Sequence, residues 1–103
     1  MADTKITVLA RFKAKDGMEE KIKKEIMGCV APTRAEAGCI NYDLHQLKDD
    51  KRVFILYENW TSKQALDEHL AMPYLKALAA AADELCSEPL DISIWEMVTE
   101  PAK

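Results

Sequence analysis

The sequence predicts an α+β fold in which helices cover one face of a four-stranded antiparallel sheet. Three observations carry this. Residues 5–14 and the stretches after Gly38, Arg52 and Pro89 have strand chemistry, two other stretches show helical spacing, and the segments run strand, helix, strand, strand, helix, strand. At 103 residues the chain has the common size of one domain, and an apolar content of 49% suits a folded core. No linker, repeat or low-complexity segment divides it, so residues 1–103 are read as a single domain.

In strand one, KITVLARFKA, Ile6, Val8, Ala10 and Phe12 alternate with Thr7, Leu9, Arg11 and Lys13. Asp16 and Gly17 end it. Met18, Ile22, Ile26, Cys29 and Val30 then recur at helical spacing behind an acidic first turn. Pro32 lacks a backbone donor and crowds the carbonyl four residues earlier, so the first helix should kink or restart there. Gly38 is read as its C-terminal stop.

Strand two is CINYDLHQL, with Ile40, Tyr42 and Leu44 on one face and Asn41, Asp43 and His45 on the other. The polar KDDKR turn makes a hairpin with strand three, VFILYENW. Strand three is apolar on both faces, Phe54 and Leu56 on one, Val53, Ile55 and Tyr57 on the other. A sheet with one wet face would not carry that pattern, so both faces must be covered. Thr61 to Gln64 form a capping-box pattern that starts a helix with Leu66 and Leu70 on its buried side. Pro73 begins the next, about Pro73 to Cys86, and LDISIWEMV after Pro89 supplies strand four. The order is that of a ferredoxin-like βαββαβ sandwich. Its helices leave one face bare, and the simplest cover is the same face of a second copy, a homodimer.

Charge and cysteines narrow the partners. Fourteen basic and eighteen acidic residues give a net charge of -4, which disfavours nucleic acid and anionic membrane. The KIKKE stretch near residue 21 reads as a solvated helix face. Cys29, Cys39 and Cys86 are an odd number without CxxC spacing, which argues against disulfides or zinc and suits a reducing compartment. The start, MADTKITVLARF, lacks the apolar core of a signal peptide, and no apolar run approaches the roughly 20 residues of a membrane span. The expected location is cytoplasmic. No hydrolase triad, phosphate loop or metal-ligand spacing occurs, and two histidines, His45 and His69, cannot supply three nitrogen ligands.

EAGCINYDLHQ, leading into strand two, YENW, and the later DEHLAMPYLKAL resemble antibiotic-biosynthesis-monooxygenase (ABM) proteins over nearly the whole chain, most of all the quinol-oxidising and uncharacterised members. The resemblance implies a dimeric α/β barrel and oxygen chemistry on a small aromatic substrate, without metal or flavin. It also implies a pocket between sheet and helices. Trp60 matches the tryptophan that ends strand three, His69 falls at a pocket position of the next helix, and Tyr74 stands where relatives often carry histidine. Anthrone-oxidising members carry Asn and Tyr at the positions of Leu56 and Leu66, which disfavours a polycyclic ketide. Heme-degrading members carry Asn, Trp and His at the positions of Ala10, His69 and Ala79, which disfavours heme cleavage.

These readings single out His69, Glu58 and Tyr74 for chemistry, and Trp60, Leu56, Leu66 and Ala10 for contact with substrate. His69 is either a half-exposed histidine bordering an apolar stripe or, as the family position implies, a general base titrating near neutrality. Trp60 is plain core or an aromatic wall that keeps water from a reactive anion. Glu58 is a buried carboxyl with a raised pKa or the partner of a lysine at the sheet edge. Tyr74 donates to a substrate oxygen or covers the pocket mouth. The function expected is cofactor-independent oxidation of a quinol-like aromatic by O2, in which the deprotonated substrate itself reduces oxygen. The same pocket and base would suit a proton-shuttling isomerase of a small carbonyl compound, and a non-catalytic ligand-binding dimer is the third reading.

Overall fold

The computed structural model describes residues 5–102. Residues 1–4, where the stretch read for a signal peptide begins, and Lys103 lie outside the described residues. The elements are β1 (Ile6–Lys13), α1 (Glu19–Met27), α2 (Val30–Arg34), β2 (Cys39–Gln46), β3 (Val53–Trp60), α3 (Lys63–Leu70), α4 (Pro73–Leu85) and β4 (Asp91–Glu96). The sheet order is β2-β3-β1-β4 with every pair antiparallel, the ferredoxin-like arrangement that the segment order predicts. No helix among the described residues is long and apolar enough to cross a membrane.

Alternation translates directly into burial. In β1, Ile6, Val8, Ala10 and Phe12 are buried and their neighbours are not; in β3, Phe54, Leu56, Glu58 and Trp60 are buried. Pairing Ala10 with Leu56 and Val8 with Glu58 puts these residues on one inner face. There Ile22, Ile26, Leu66, Leu78 and Ala82 of the helices pack on them as one core. Opposite lie Val53 and Ile55, half-buried, and Tyr57, exposed. No helix covers that outer face among the described residues; only residues 97–102 lie over part of it. By pairing with Ala10 and Val8, Ile92 and Ile94 of β4 point to the inner side, yet both are exposed, so the helices stop short of this edge.

Four local expectations are corrected. The first helix breaks before Pro32, at Gly28 and Cys29, because Pro32 has no N–H for the Gly28 carbonyl; the Cys29 N–H tightens onto Ile26 O at 2.9 Å and a separate short helix follows. The helix-capping residue is Ser62 rather than Thr61. Its Oγ accepts from the Ala65 N–H at 3.1 Å, and Gln64 reaches forward to Glu68. A bulge between Cys39 and Asn41 throws Ile40 out to solvent while Tyr42 stays buried.

The fourth correction concerns Gly38, which does not adopt the left-handed conformation of a helix stop. It is needed for close approach. A Cβ there would lie 2.3 Å from Ala65 Cβ and 3.1 Å from Thr61 Oγ1. The Gly38 carbonyl accepts from the Thr61 N–H at 2.9 Å, and the Cys39 N–H closes a turn on Glu36 O at 3.1 Å. The turn at 36–39 is thereby pressed against the start of α3. Gly38→Ala should cost about 1–3 kcal/mol of unfolding free energy, the usual range for overpacking. Urea unfolding checks this: the cost should shrink in an Ala65→Gly background, and an equal cost in both backgrounds would contradict the contact.

Candidate active site

Between the inner sheet face and α3 and α4 lies an apolar cleft of about 20 Å³, opening beside β4. Ala10 of β1, Leu56 and Glu58 of β3, Leu66 and His69 of α3 and Ile92 of β4 line it. Two of these are ionisable and buried: His69 is 1% exposed and Glu58 3%. A wider hollow of about 730 Å³ lies on the outer face beneath residues 97–102, but no buried titratable side chain lines it. The buried ionisable side chains therefore line the smaller cleft.

His69 sits on the last turn of α3, where burial of Leu66 and His69 three residues apart turns one helix face to the sheet. Its ring is held by three neighbours. The Trp60 ring stacks tilted at 4.4 Å between centroids, Tyr42 meets it edge-on at 5.5 Å, and Nδ1 lies 2.9 Å from Glu36 Oε2. The Tyr74 hydroxyl donates to the same Glu36 oxygen. Nε2 has no hydrogen-bond partner among the described residues. Burial pulls the His69 pKa below its ordinary value, and the bond to Glu36 opposes that shift.

Glu58 occupies the one polar position in the inward row of β3. Its Oε1 accepts from Trp60 Nε1 at 3.0 Å. Burial raises its pKa to about 7; the Trp60 bond pulls the other way, and Glu36 adds to the rise. Its carboxyl thus titrates near neutrality. Burial, aided by the bond to Glu36, lifts the Tyr74 phenol to about 12, so it stays protonated and donating.

Of the residues singled out in the sequence, Ala10, Leu56, Glu58, Leu66 and His69 come together at the cleft. Trp60 and Tyr74 stand behind it. Trp60 backs His69 and donates to Glu58, and the single hydroxyl proton of Tyr74 is committed to Glu36. The half-exposed reading of His69 fails, because α3 turns it fully inward. Among the described residues no lysine pairs with Glu58; its partner is the indole of Trp60. His45 is exposed, as its strand position predicts, with Nδ1 3.2 Å from Asp43 O. Sequence reasoning missed Glu36. Its place in the EAGC stretch marked it, but nothing local distinguishes it from the other acidic residues. Among the described residues, no three His, Cys, Asp or Glu side chains gather as a metal-ligand group.

Fold and cleft together define a class: small α+β proteins with a ferredoxin-like sheet and an apolar cleft, lined by buried ionisable side chains, between sheet and helices. The chain belongs to the antibiotic biosynthesis monooxygenase family, whose pattern matches residues 5–81. It is similar to Rv0793 of Mycobacterium tuberculosis, provisionally named a monooxygenase, at 32% identity over 92% of this chain and 93% of that protein. The solved structure of Rv0793 superposes with a TM-score of 0.90, covering 96% of this chain and 100% of that one at 29% identity. PA3566 of Pseudomonas aeruginosa gives a TM-score of 0.88 at 30% identity, covering 96% and 99%. An uncharacterised Synechocystis protein, sll1783, is 28% identical over 93% of this chain, which spans 65% of that protein's length. Family and relatives support a monooxygenase-like function.

The Glu58 pKa carries a stability consequence. Because folding raises it from 4.5 to about 7, the folded chain holds this proton more tightly than the unfolded chain does. The contribution is fully present below pH 4.5 and is lost as pH rises to about 7, on the order of 3 kcal/mol. Glu58→Gln keeps an oxygen for Trp60 and removes the titration. The variant's stability relative to wild type should therefore climb between pH 4.5 and 7 and then level off. Parallel pH profiles from denaturant unfolding would refute the shift.

Proposed function

We propose that this chain, acting as a single domain within a homodimer, is a cofactor-independent monooxygenase that oxidises a small quinol-like aromatic with O2 in the cleft. The observation that carries this reading is the buried imidazole of His69, tethered at Nδ1 and unpartnered at Nε2, at the wall of an apolar cleft. Such a nitrogen accepts a hydroxyl proton where water is scarce. The aryl-oxide so formed gives one electron to O2, and the radical pair joins as a peroxide at a ring carbon. Loss of water, with the proton returned from His69, then leaves a carbonyl. One oxygen atom enters the product and the other leaves as water.

The remaining residues have supporting tasks. Leu56, Leu66 and Ala10 supply flat apolar contact, Trp60 backs the imidazole, and Tyr74 holds the Glu36 end of its hydrogen bond. Glu58, titrating at about 7, is the second group able to take a proton at neutral pH. A cleft of about 20 Å³ holds roughly one water, so an aromatic enters only if the exposed side chains of Leu70 and Ile92 at the mouth swing aside.

Oxygen consumption against naphthoquinols and catechols tests the reaction. With an active quinol, His69→Ala should lower turnover about 10²–10⁴-fold, and because the ring is fully buried and bonded to Glu36 it should lower the melting point as well. Trp60→Ala should also destabilise by about 3–5 kcal/mol, as loss of a fully buried aromatic does. Wild-type turnover by His69→Ala would transfer the base role to Glu58 or to the substrate's own acidity. Turnover of a carbonyl compound without oxygen uptake would favour an isomerase.

The homodimer is supported by the outer sheet face, where Ile55, Tyr57 and Trp95 would otherwise face water. Sedimentation equilibrium at micromolar concentration should give twice the chain mass of 11.6 kDa. A clean monomer would defeat this part of the proposal and leave the cleft chemistry standing.

A further inference from the structure

Glu36 opens the EAGC stretch, and the reaction above gives it no task of its own. It lies 33 positions from His69 in the chain, yet its Oε2 is 2.9 Å from His69 Nδ1 and also receives the Tyr74 hydroxyl. The Glu36 side chain is 11% exposed and that of His69 1%. Two separate constraints hold it there: the turn closed on the Cys39 N–H, and the contact of Gly38 with Ala65 that admits no side chain. The position of Glu36 is therefore set by the packing of its turn on α3.

We infer that Glu36 is a positioning residue whose carboxylate holds His69 as the Nδ1–H tautomer, leaving the Nε2 lone pair for the substrate proton. A carboxylate oxygen only accepts, so the nitrogen facing it must donate. The neutral histidine side chain in water prefers its proton on Nε2, which here would block the base. Glu36 reverses that preference. It does a second thing as the proton arrives at Nε2: its negative charge lies beside an imidazolium forming where burial disfavours charge. The analogous carboxylate–histidine pair orients the base in unrelated enzymes, where the acid itself stays ionised. The inference rests on the reading of His69 as the base, but the tautomer is measurable without any substrate.

The experiment is ¹⁵N NMR of the histidine side chains in the whole protein. His45→Gln leaves a single histidine signal, and His45 lies away from the cleft on the outer sheet face. The signal should show Nδ1 protonated and Nε2 bare. In Glu36→Ala the proton should move mainly to Nε2 and the His69 pKa should fall; the other titratable groups packed near the ring, Tyr42 of β2, Glu58 of β3 and Tyr74 of α4, remain in that variant, although Tyr74 loses its acceptor and Glu58 the neighbouring charge of Glu36. Glu36→Gln, which keeps an accepting oxygen without the charge, should retain the tautomer while the pKa still falls.

With an active quinol, Glu36→Ala should lower kcat about 10- to 100-fold at unchanged KM, the loss seen when a partner orienting a metal-bound histidine is removed. An Nε2–H signal in the otherwise wild-type chain overturns the inference even if Glu36→Ala fails to fold. So does a folded Glu36→Ala whose tautomer is unaltered. If Glu36 governs the tautomer but neither His69→Ala nor Glu36→Ala changes turnover, the assignment of His69 as base falls and the hold of Glu36 on the ring stands.

Discussion

The site depends on a single constraint, that ionisable side chains buried against an apolar core must find hydrogen-bond partners there. His69 and Glu58 are both enclosed between sheet and helices, where an unpartnered polar group costs a few kcal/mol. Glu36 and the Trp60 indole are those partners. Trp60 serves both groups at once, stacking on one and donating to the other. The result is two buried ionisable groups whose pKa values burial moves in opposite directions, the imidazole downward and the carboxyl upward. Desolvation alone accounts for both directions, since it disfavours whichever form carries charge.

Sheet order explains why these groups meet. β3 is an inner strand, flanked by β2 and β1, so its inward row of Phe54, Leu56, Glu58 and Trp60 is covered by the helices along its length. β4 is an edge, and the helices fall short of it. One enclosed wall and one open edge make a cleft with a mouth. The exposed Ile92 and Leu70 at that mouth are apolar groups without full cover, which is where a flat apolar ligand gains most by displacing water.

The connection through Gly38 ties fold and site together. A tight turn pressed on α3 sets the position of Glu36 relative to His69, and the hydrogen bond between Gly38 and Thr61 links the entry of β2 to the exit of β3. Fold stability and imidazole orientation therefore share the same few atoms. The bulge after Cys39 follows at once and returns the chain to register, so that Tyr42 faces inward against the His69 ring.

Much of this was legible in the residues. Alternation in β1 and β3 set the inner face, because a pleated strand turns alternate side chains to opposite sides whatever it packs against. Helical spacing and proline positions set α1, α3 and α4, and the resemblance to relatives pointed to five residues that line the cleft. Other features belonged to the tertiary structure alone. Whether Thr61 or Ser62 caps α3 turns on where the helix starts once the Thr61 backbone N–H is bound to the Gly38 carbonyl, and that partner is remote in sequence. The bulge at Ile40 is a property of the pairing with β3 rather than of β2 itself. Glu36 was invisible as a partner of His69 for the same reason. The sequence by itself determines which side chains a strand or helix can present together, since that follows from local geometry; which distant carboxylate meets which imidazole is decided only when the turn at Gly38 closes on α3.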